Sequence, residues 1–206
     1  AEIKEVNTYK AIDVVGMPIL ISRGADGVAR AFVNMCSHRG AQLVDPGVGT
    51  ARRFACPYHN WTYNQEGDLV GVFKQDDFGQ LDTSCLGLTQ LPIAERAGLI
   101  WVTLSPDSKL DFDAFFAGYD EMLEFCDFAS MNHFGTRILA GPNWKISFDG
   151  YVDFYHLPIL HKNTFGPDMS PDALFHRVGP HQRVTGPRGN WAKLEGRPTS
   201  EWPDSV

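Results

Sequence analysis

The sequence predicts an α+β chain, with an all-β stretch at residues 1–107 followed by the start of an α+β segment at 108–206. Two observations carry this division. Up to about residue 105, short apolar and β-branched runs alternate with turns containing Gly, Pro and Asp, the pattern of antiparallel strands. From residue 108, apolar residues recur at helical spacing instead.

Taken in order, "PILISR" and "VARAFVNM" flank "GADG" within residues 17–35 and predict a β-hairpin, since Asp-Gly is a hairpin turn signal. "RRFACPYHNWTYN" continues in short β-like runs, "QEGD" supplies another turn and "LVGVF" another strand. "AGLIWVTL", residues 97–104, is an apolar strand ended by "SPD". Then "LDFDAFFAGYDEMLEFC" offers an Asp N-cap, followed by Phe112, Phe115, Phe116, Tyr119, Met122 and Leu123 on one helical stripe, read as core. "TRILAGPNWKISFDGYVDFYHL" begins as a strand and turns helical after Trp144. Beyond residue 165 the Pro and Gly content predicts loops.

Composition narrows the class. With 43% hydrophobic and 21% charged residues, the 206-residue chain is an ordinary globular protein, and its 14 Phe, 6 Tyr and 5 Trp predict an aromatic-rich core. A net charge of -7 argues against a nucleic-acid or anionic-membrane surface. No apolar run approaches the roughly 18 residues of a membrane span. With no signal-like N-terminus either, a cytoplasmic location is expected. The start at Ala1 and the patternless "TSEWPDSV" suggest a piece of a longer chain.

Two of the four cysteines stand beside histidines, in "CSHRG" (36–40) and "CPYHNW" (56–61). One residue separates Cys36 from His38, and two separate Cys56 from His59. Both pairs fall in loops between predicted strands, where four side chains can turn toward one place. Two thiolates and two imidazoles suit a tetrahedral zinc ion or a [2Fe–2S] cluster with one histidine-ligated iron. The one-residue Cys-x-His gap is short for zinc, whose ligand pairs usually have about two to four residues between them. Cys85 and Cys126 remain, read as buried thiols in a reducing compartment.

"CSHRG…CPYHNW" resembles the Rieske motif, Cys-x-His and then Cys-x-x-His. Gly16, Pro18, Arg23, "DGVARAFVNMCSHRGAQL" and "NQEGDL" extend the resemblance to the Rieske domain of ring-hydroxylating oxygenases, over roughly residues 10–105. It implies a [2Fe–2S] cluster with Cys36 and Cys56 on one iron and His38 and His59 on the other. Asn60 stands where the family has glycine. Respiratory Rieske proteins add a cysteine to each loop; here those positions are Ala41 and Tyr58, which points to the oxygenase or ferredoxin branch.

A second constellation lies in "NWKISFDGYVDFYHLPILH", residues 143–161. Asp153 and His156 share a helical face at three-residue spacing, whereas His156 and His161 would diverge on a regular helix unless Pro158 kinked it. By the same resemblance, His156 and His161 ligate a mononuclear Fe(II), and Asp153 bridges to a cluster histidine, expected to be His59, of a neighbouring subunit. The third iron ligand of the family is an aspartate expected beyond residue 206. Asp168, Asp172 and Asp204 lack a matching context, and the first two read as turn residues. His133, His176 and His181 have no partners at ligand spacing and read as surface or core residues, the last two in loops.

The resemblance implies the α-subunit of a terminal oxygenase. Electrons from NADH would arrive through a reductase or ferredoxin, and O2 would hydroxylate, most often cis-dihydroxylate, a small aromatic substrate. Monooxygenation or demethylation is the variant within the family. A homotrimer is expected, with a β-subunit (α3β3) left open. The other readings are a Rieske electron carrier without oxygenase activity and a zinc-stabilised binding module.

Overall fold

The computed structural model describes residues 2–165, 170–186 and 196–198. The chain divides into two units, Ala1–Phe115 with Asp120–Phe134, and Phe116–Tyr119 with Gly135–Val206.

The first unit is built of short antiparallel strands: β1 (Thr8–Val14), β2 (Met17–Arg23), β3 (Ala29–Val33), β4 (Gly47–Thr50), β5 (Arg53–Ala55), β6 (Thr62–Asn64), β7 (Leu69–Gly71), β8 (Gln90–Leu91), β9 (Ile93–Arg96) and β10 (Leu99–Val102). They form a five-stranded sheet in the order β4-β1-β2-β3-β8, a three-stranded sheet β5-β6-β7 and the hairpin β9–β10. The predicted hairpin is β2–β3, with Arg23 opposite Ala29 across "GADG". β1 is an addition: "TYKAIDV" mixes polar and apolar residues because it carries the sheet's two faces alternately.

Those faces have different jobs. Ala11, Leu20 and Phe32 are buried in one cluster with Cys36, Cys56, Trp61 and Tyr63, so this face is the floor beneath both Cys/His loops. Ile19 and Ala31 turn to the other face, beside Ile12, Ile21 and Val102. Leu20 and Phe32 are 0% and 1% exposed; burying a side chain of this size stabilises the fold by about 1.5–3 kcal/mol. Phe32 also explains Gly67 in the "QEGD" turn, where φ is 92° and a Cβ would collide with the Phe32 ring. Two buried polar side chains are satisfied: Ser22 Oγ donates to the Gln65 carbonyl at 3.0 Å, and Gln65 Nε2 donates to the Ala51 carbonyl at 2.7 Å.

At the β2–β3 turn, Asp26 accepts from the Val28 amide at 3.0 Å and pairs with Arg30 at 2.7 Å. The Arg30 hydrogen bonds lead, with the Val28 amide second, in lowering the Asp26 carboxyl from 3.8 to about 2. A depressed folded-state pKa contributes stability above pH 4, and that contribution is lost as pH falls toward 2. Asp26→Asn should therefore melt slightly below wild type at neutral pH, with the gap closing from pH 4 downward. A gap in melting temperature independent of pH would remove the ion pair from the account.

The predicted helix near residue 110 is two helices, α1 (Phe112–Phe116) and α2 (Tyr119–Glu124). Asp111 caps the first through the Asp113 and Ala114 amides. Ala117 and Gly118 then take left-handed φ values of 50° and 87°, which no helix continues through. Of the predicted stripe, only Phe116 is buried. Cys85 and Cys126 are exposed, contrary to expectation. The first ends a one-turn 3-10 helix with no buried residue, and the second lies past the last turn of α2.

The second unit contains α3 (Trp144–Val152), α4 (Leu157–Leu160) and the hairpin β11 (Leu174–Val178) with β12 (His181–Thr185). The strand expected at "TRIL" is absent among the described residues. The hairpin replaces an expected loop: Gly179, at φ 55°, and Pro180 form its tight turn, so the breakers mark the reversal of strands rather than their absence.

Candidate metal centres

Cys36–Ala41 and Cys56–Trp61 are two turns with one backbone pattern. In the first, the Cys36 amide donates to the Ala41 carbonyl at 2.8 Å and the Gly40 amide returns to the Cys36 carbonyl at 2.9 Å. In the second, Cys56 donates to Trp61 at 2.7 Å and Asn60 returns to Cys56 at 2.9 Å. The fifth residue of each is left-handed, Gly40 at φ 69° and Asn60 at φ 57°. Asparagine is among the few non-glycine residues that take this conformation readily, so Asn60 keeps the turn that glycine would make. The first turn is pinned at its base by buried Asn34, whose side-chain amide donates to the Val44 carbonyl at 2.7 Å and accepts from its amide at 3.2 Å.

The turns bring all four predicted ligands to one end of the unit. Cys36 and Cys56 are each 3% exposed, and the His38 and His59 ring centroids lie 4.6 Å apart. Tyr63, fully buried, places its hydroxyl 3.1 Å from Cys36 Sγ and 2.9 Å from Ser37 Oγ, and accepts from the Ser37 amide at 3.1 Å. Ser37 spends its own hydroxyl proton on the Leu86 carbonyl at 2.6 Å. The Tyr63 proton is thereby directed to Ser37 Oγ or to Cys36 sulfur. Burial first, and the Cys36 hydrogen bond second, push Tyr63 up to about 12, so it remains a donor at neutral pH.

His38 shows whether the residues fit a metal. Its Nδ1 is buried and has no hydrogen-bond partner. Leaving such an atom unsatisfied costs about 1–3 kcal/mol, a cost that coordination removes. Burial, followed by the neighbouring His59 and Arg39 charges, lowers its pKa and favours the neutral imidazole that binds metals. Trp61 stacks on the ring at 4.6 Å and 9°. Among the described residues, no three His, Cys, Asp or Glu side chains gather as a single-ion site would require. A donor set of two thiols and two imidazoles fits a [2Fe–2S] cluster, which takes two protein ligands at each iron. Both imidazoles border an open depression of about 830 Å³, lined also by Tyr58, Trp61, Phe73 and Phe78.

The second constellation is not one kinked helix. α3 ends at Val152, Asp153 is its C-cap at φ -86° and ψ 105°, and His156 and His161 cap the two ends of α4. Pro158 falls in the first turn of α4, where its missing amide proton is not needed. One helical turn therefore separates the histidines, and their ring centroids come within 5.3 Å. Asp153 Oδ1 accepts from the Tyr155 amide at 2.8 Å, and Oδ2 lies 3.2 Å from His156 Nδ1. That contact assigns the proton to Nδ1 and leaves Nε2 of His156 as the free donor to a metal.

Of the remaining candidates, Asp172 is exposed and hydrogen-bonded to Ser170, as a turn residue is. Asp168 and Asp204 lie outside the described residues. His176 and His181 are on β11 and β12, not in loops, and His181 stacks on Tyr119 at 4.7 Å. His133 lies 3.5 Å from Glu2. Tyr63, Trp61, Ser37 and Asn34 were not singled out from sequence; the aromatic run directly after the second motif, "NWTYN", was the available signal.

The Rieske [2Fe-2S] domain model matches residues 1–84, and the model of the ring hydroxylating alpha subunit (catalytic domain) matches residues 128–205. The chain belongs to the Rieske oxygenases. This Rieske oxygenase chain is 30% identical over 201 residues to the carnitine monooxygenase oxygenase subunit of Escherichia coli (strain K12), covering 95% of itself and 50% of that protein. It is 31% identical to the anthranilate 1,2-dioxygenase large subunit of Burkholderia cepacia, covering 78% of itself and 40% of that protein. Among solved structures, a quaternary ammonium Rieske monooxygenase studied for carnitine oxidation and inter-subunit electron transfer aligns with TM-score 0.79 and 27% identity, over 90% of this chain and 51% of that one. The chain spans about half the length of the curated relatives it matches. No helix among the described residues is long and apolar enough to cross a membrane.

Proposed function

We propose that this chain is the cluster-bearing part of a Rieske terminal oxygenase. In this reading Cys36, Cys56, His38 and His59 hold the [2Fe–2S] cluster, and His156 and His161 are two ligands of a mononuclear Fe(II). The observation that carries it is the buried, partnerless Nδ1 of His38 beside His59 and two buried thiols. When bound, the cluster supplies one-electron storage and the iron a place for O2 to be activated.

The protein's own residues do the rest. Tyr63 keeps a proton beside the Cys36 sulfur, where a hydrogen bond raises a cluster's potential. The histidine edge borders the open depression, so electrons can enter and leave there. Asp153 orients His156 and, half-exposed, retains acceptor sites for a further donor. The reading gives that place to His59 of a neighbouring subunit, hence a homotrimeric ring, with or without a β-subunit. The inter-subunit electron transfer of the related quaternary ammonium monooxygenase supports this. NADH is the electron source, through a reductase or ferredoxin, and the location is cytoplasmic. The domain boundary is taken at residues 107 and 108.

Insertion of one oxygen into a small organic substrate is the first reaction of this reading, supported by relatives named for carnitine, choline and glycine betaine. The second is cis-dihydroxylation of an aromatic substrate, favoured by the similar identity to anthranilate 1,2-dioxygenase. Substrate-dependent O2 uptake with quaternary ammonium and aromatic panels separates them by product. Metal analysis of anaerobically purified protein tests the centres themselves: two acid-labile sulfides and three irons per chain are expected, and zinc without sulfide would overturn the reading.

Asp153→Asn keeps the cap but loses the charge. Both metal centres should remain, while single-turnover electron transfer slows about 10–100-fold, the usual cost of losing an outer partner. An unchanged single-turnover rate would discard the bridging role.

A further inference from the structure

We propose that Trp61 and Phe78 clamp the imidazole of His38, so that the two histidines of the cluster are held unequally, His38 fixed and His59 adjustable. This deepens the proposed cluster assignment and rests on it. Trp61 is 4% exposed, and its ring lies parallel to His38. Phe78 closes the group edge-on, 6.4 Å from His38 and 6.1 Å from Trp61, at interplanar angles of 82° and 73°. It comes from the one-turn 3-10 helix Gln75–Phe78, outside both turns.

Trp61 spans the centre in a way its backbone does not suggest. Its carbonyl accepts the Cys56 amide, so it closes the turn that carries His59. Its ring, however, braces the histidine of the other turn. Besides His38, the ring beside His59 is Tyr58, at 3.8 Å and 35°, and Tyr58 is 61% exposed. A buried indole with close-packed neighbours has no room to turn, whereas an exposed phenol can follow its partner. Groups packed around a ligating imidazole set its orientation, and ring orientation tunes the metal it holds. The clamp therefore keeps one histidine's contribution to the cluster constant while the other responds to whatever enters the depression.

The test uses the reduced holoprotein, read by EPR g values, linewidths and midpoint potential rather than by activity alone. Trp61→Leu should shift the g values, broaden the lines and move the potential. Trp61→Phe, which keeps a stacked ring, should restore all three, and Tyr58→Ala should leave them as in wild type. A wild-type line shape in a cluster-loaded Trp61→Leu protein would overturn the clamp, as would equal broadening in Tyr58→Ala. Should Trp61→Leu lose its cluster, Phe78→Ala decides, since Phe78 is half-exposed and outside the buried core. Broadening there supports the clamp and an unchanged line shape overturns it. Wild-type protein with no Rieske signal would instead sink the cluster assignment, so the two failures are distinct.

Discussion

His38→Ala protein is expected to be folded, colourless and inactive. Among the described residues, the substitution deletes the one buried ring nitrogen that lacks a partner, and in the proposed ligand set it would leave the outer iron with a single imidazole. Cys36, Cys56 and His59 remain, but three donors do not complete the four that a Rieske cluster takes from protein. The loss should be all-or-none in visible absorption, EPR and acid-labile sulfide. The fold should survive because His38 lies in a turn, outside every strand, and the floor of Leu20, Phe32 and Tyr63 is untouched. Unchanged far-UV circular dichroism would show this. An intact visible spectrum with wild-type sulfide would remove His38 from the ligand set.

His161→Ala should separate the two centres. The colour and sulfide stay, iron falls by one per chain, and product formation drops by more than the roughly 10–100-fold seen when an outer partner is lost. The residue ends α4 and packs edge-on toward Phe165 at 5.4 Å, so its removal disturbs no buried core. Undiminished turnover, or iron retained in full, would reject it as a ligand. Asp153→Asn, by contrast, is expected to keep its iron and to slow only its supply of electrons.

The four cluster candidates were legible because each pair is local. A turn of six residues carries both a cysteine and a histidine, and its backbone hydrogen bonds close within the motif. The β2–β3 hairpin was legible for the same reason. What escaped was set by longer-range or finer terms. β1 needs its partners β2 and β4 before "TYKAIDV" reads as a strand. The break between α1 and α2 depends on two left-handed residues inside an unbroken apolar stripe. Gly179 and Pro180 mark a tight turn rather than the loop expected beyond residue 165, and only pairing across them reveals β11 and β12. At the second constellation the spacing was read against one helix, whereas Pro158 starts a new one and the histidines meet from its two ends. Trp61 from the second turn and Tyr63 from β6 both act on residues of the first turn, which no local pattern encodes.

The self-closing turns also bear on how such a protein can change its length. The backbone of each turn closes through bonds that begin and end inside it, and Asn34 ties off the first at Val44. The connection between Val44 and β4 takes no part in either frame. A residue inserted or removed there is expected to leave both backbone frames in place, whereas one inserted inside a turn would break the bonds that close it.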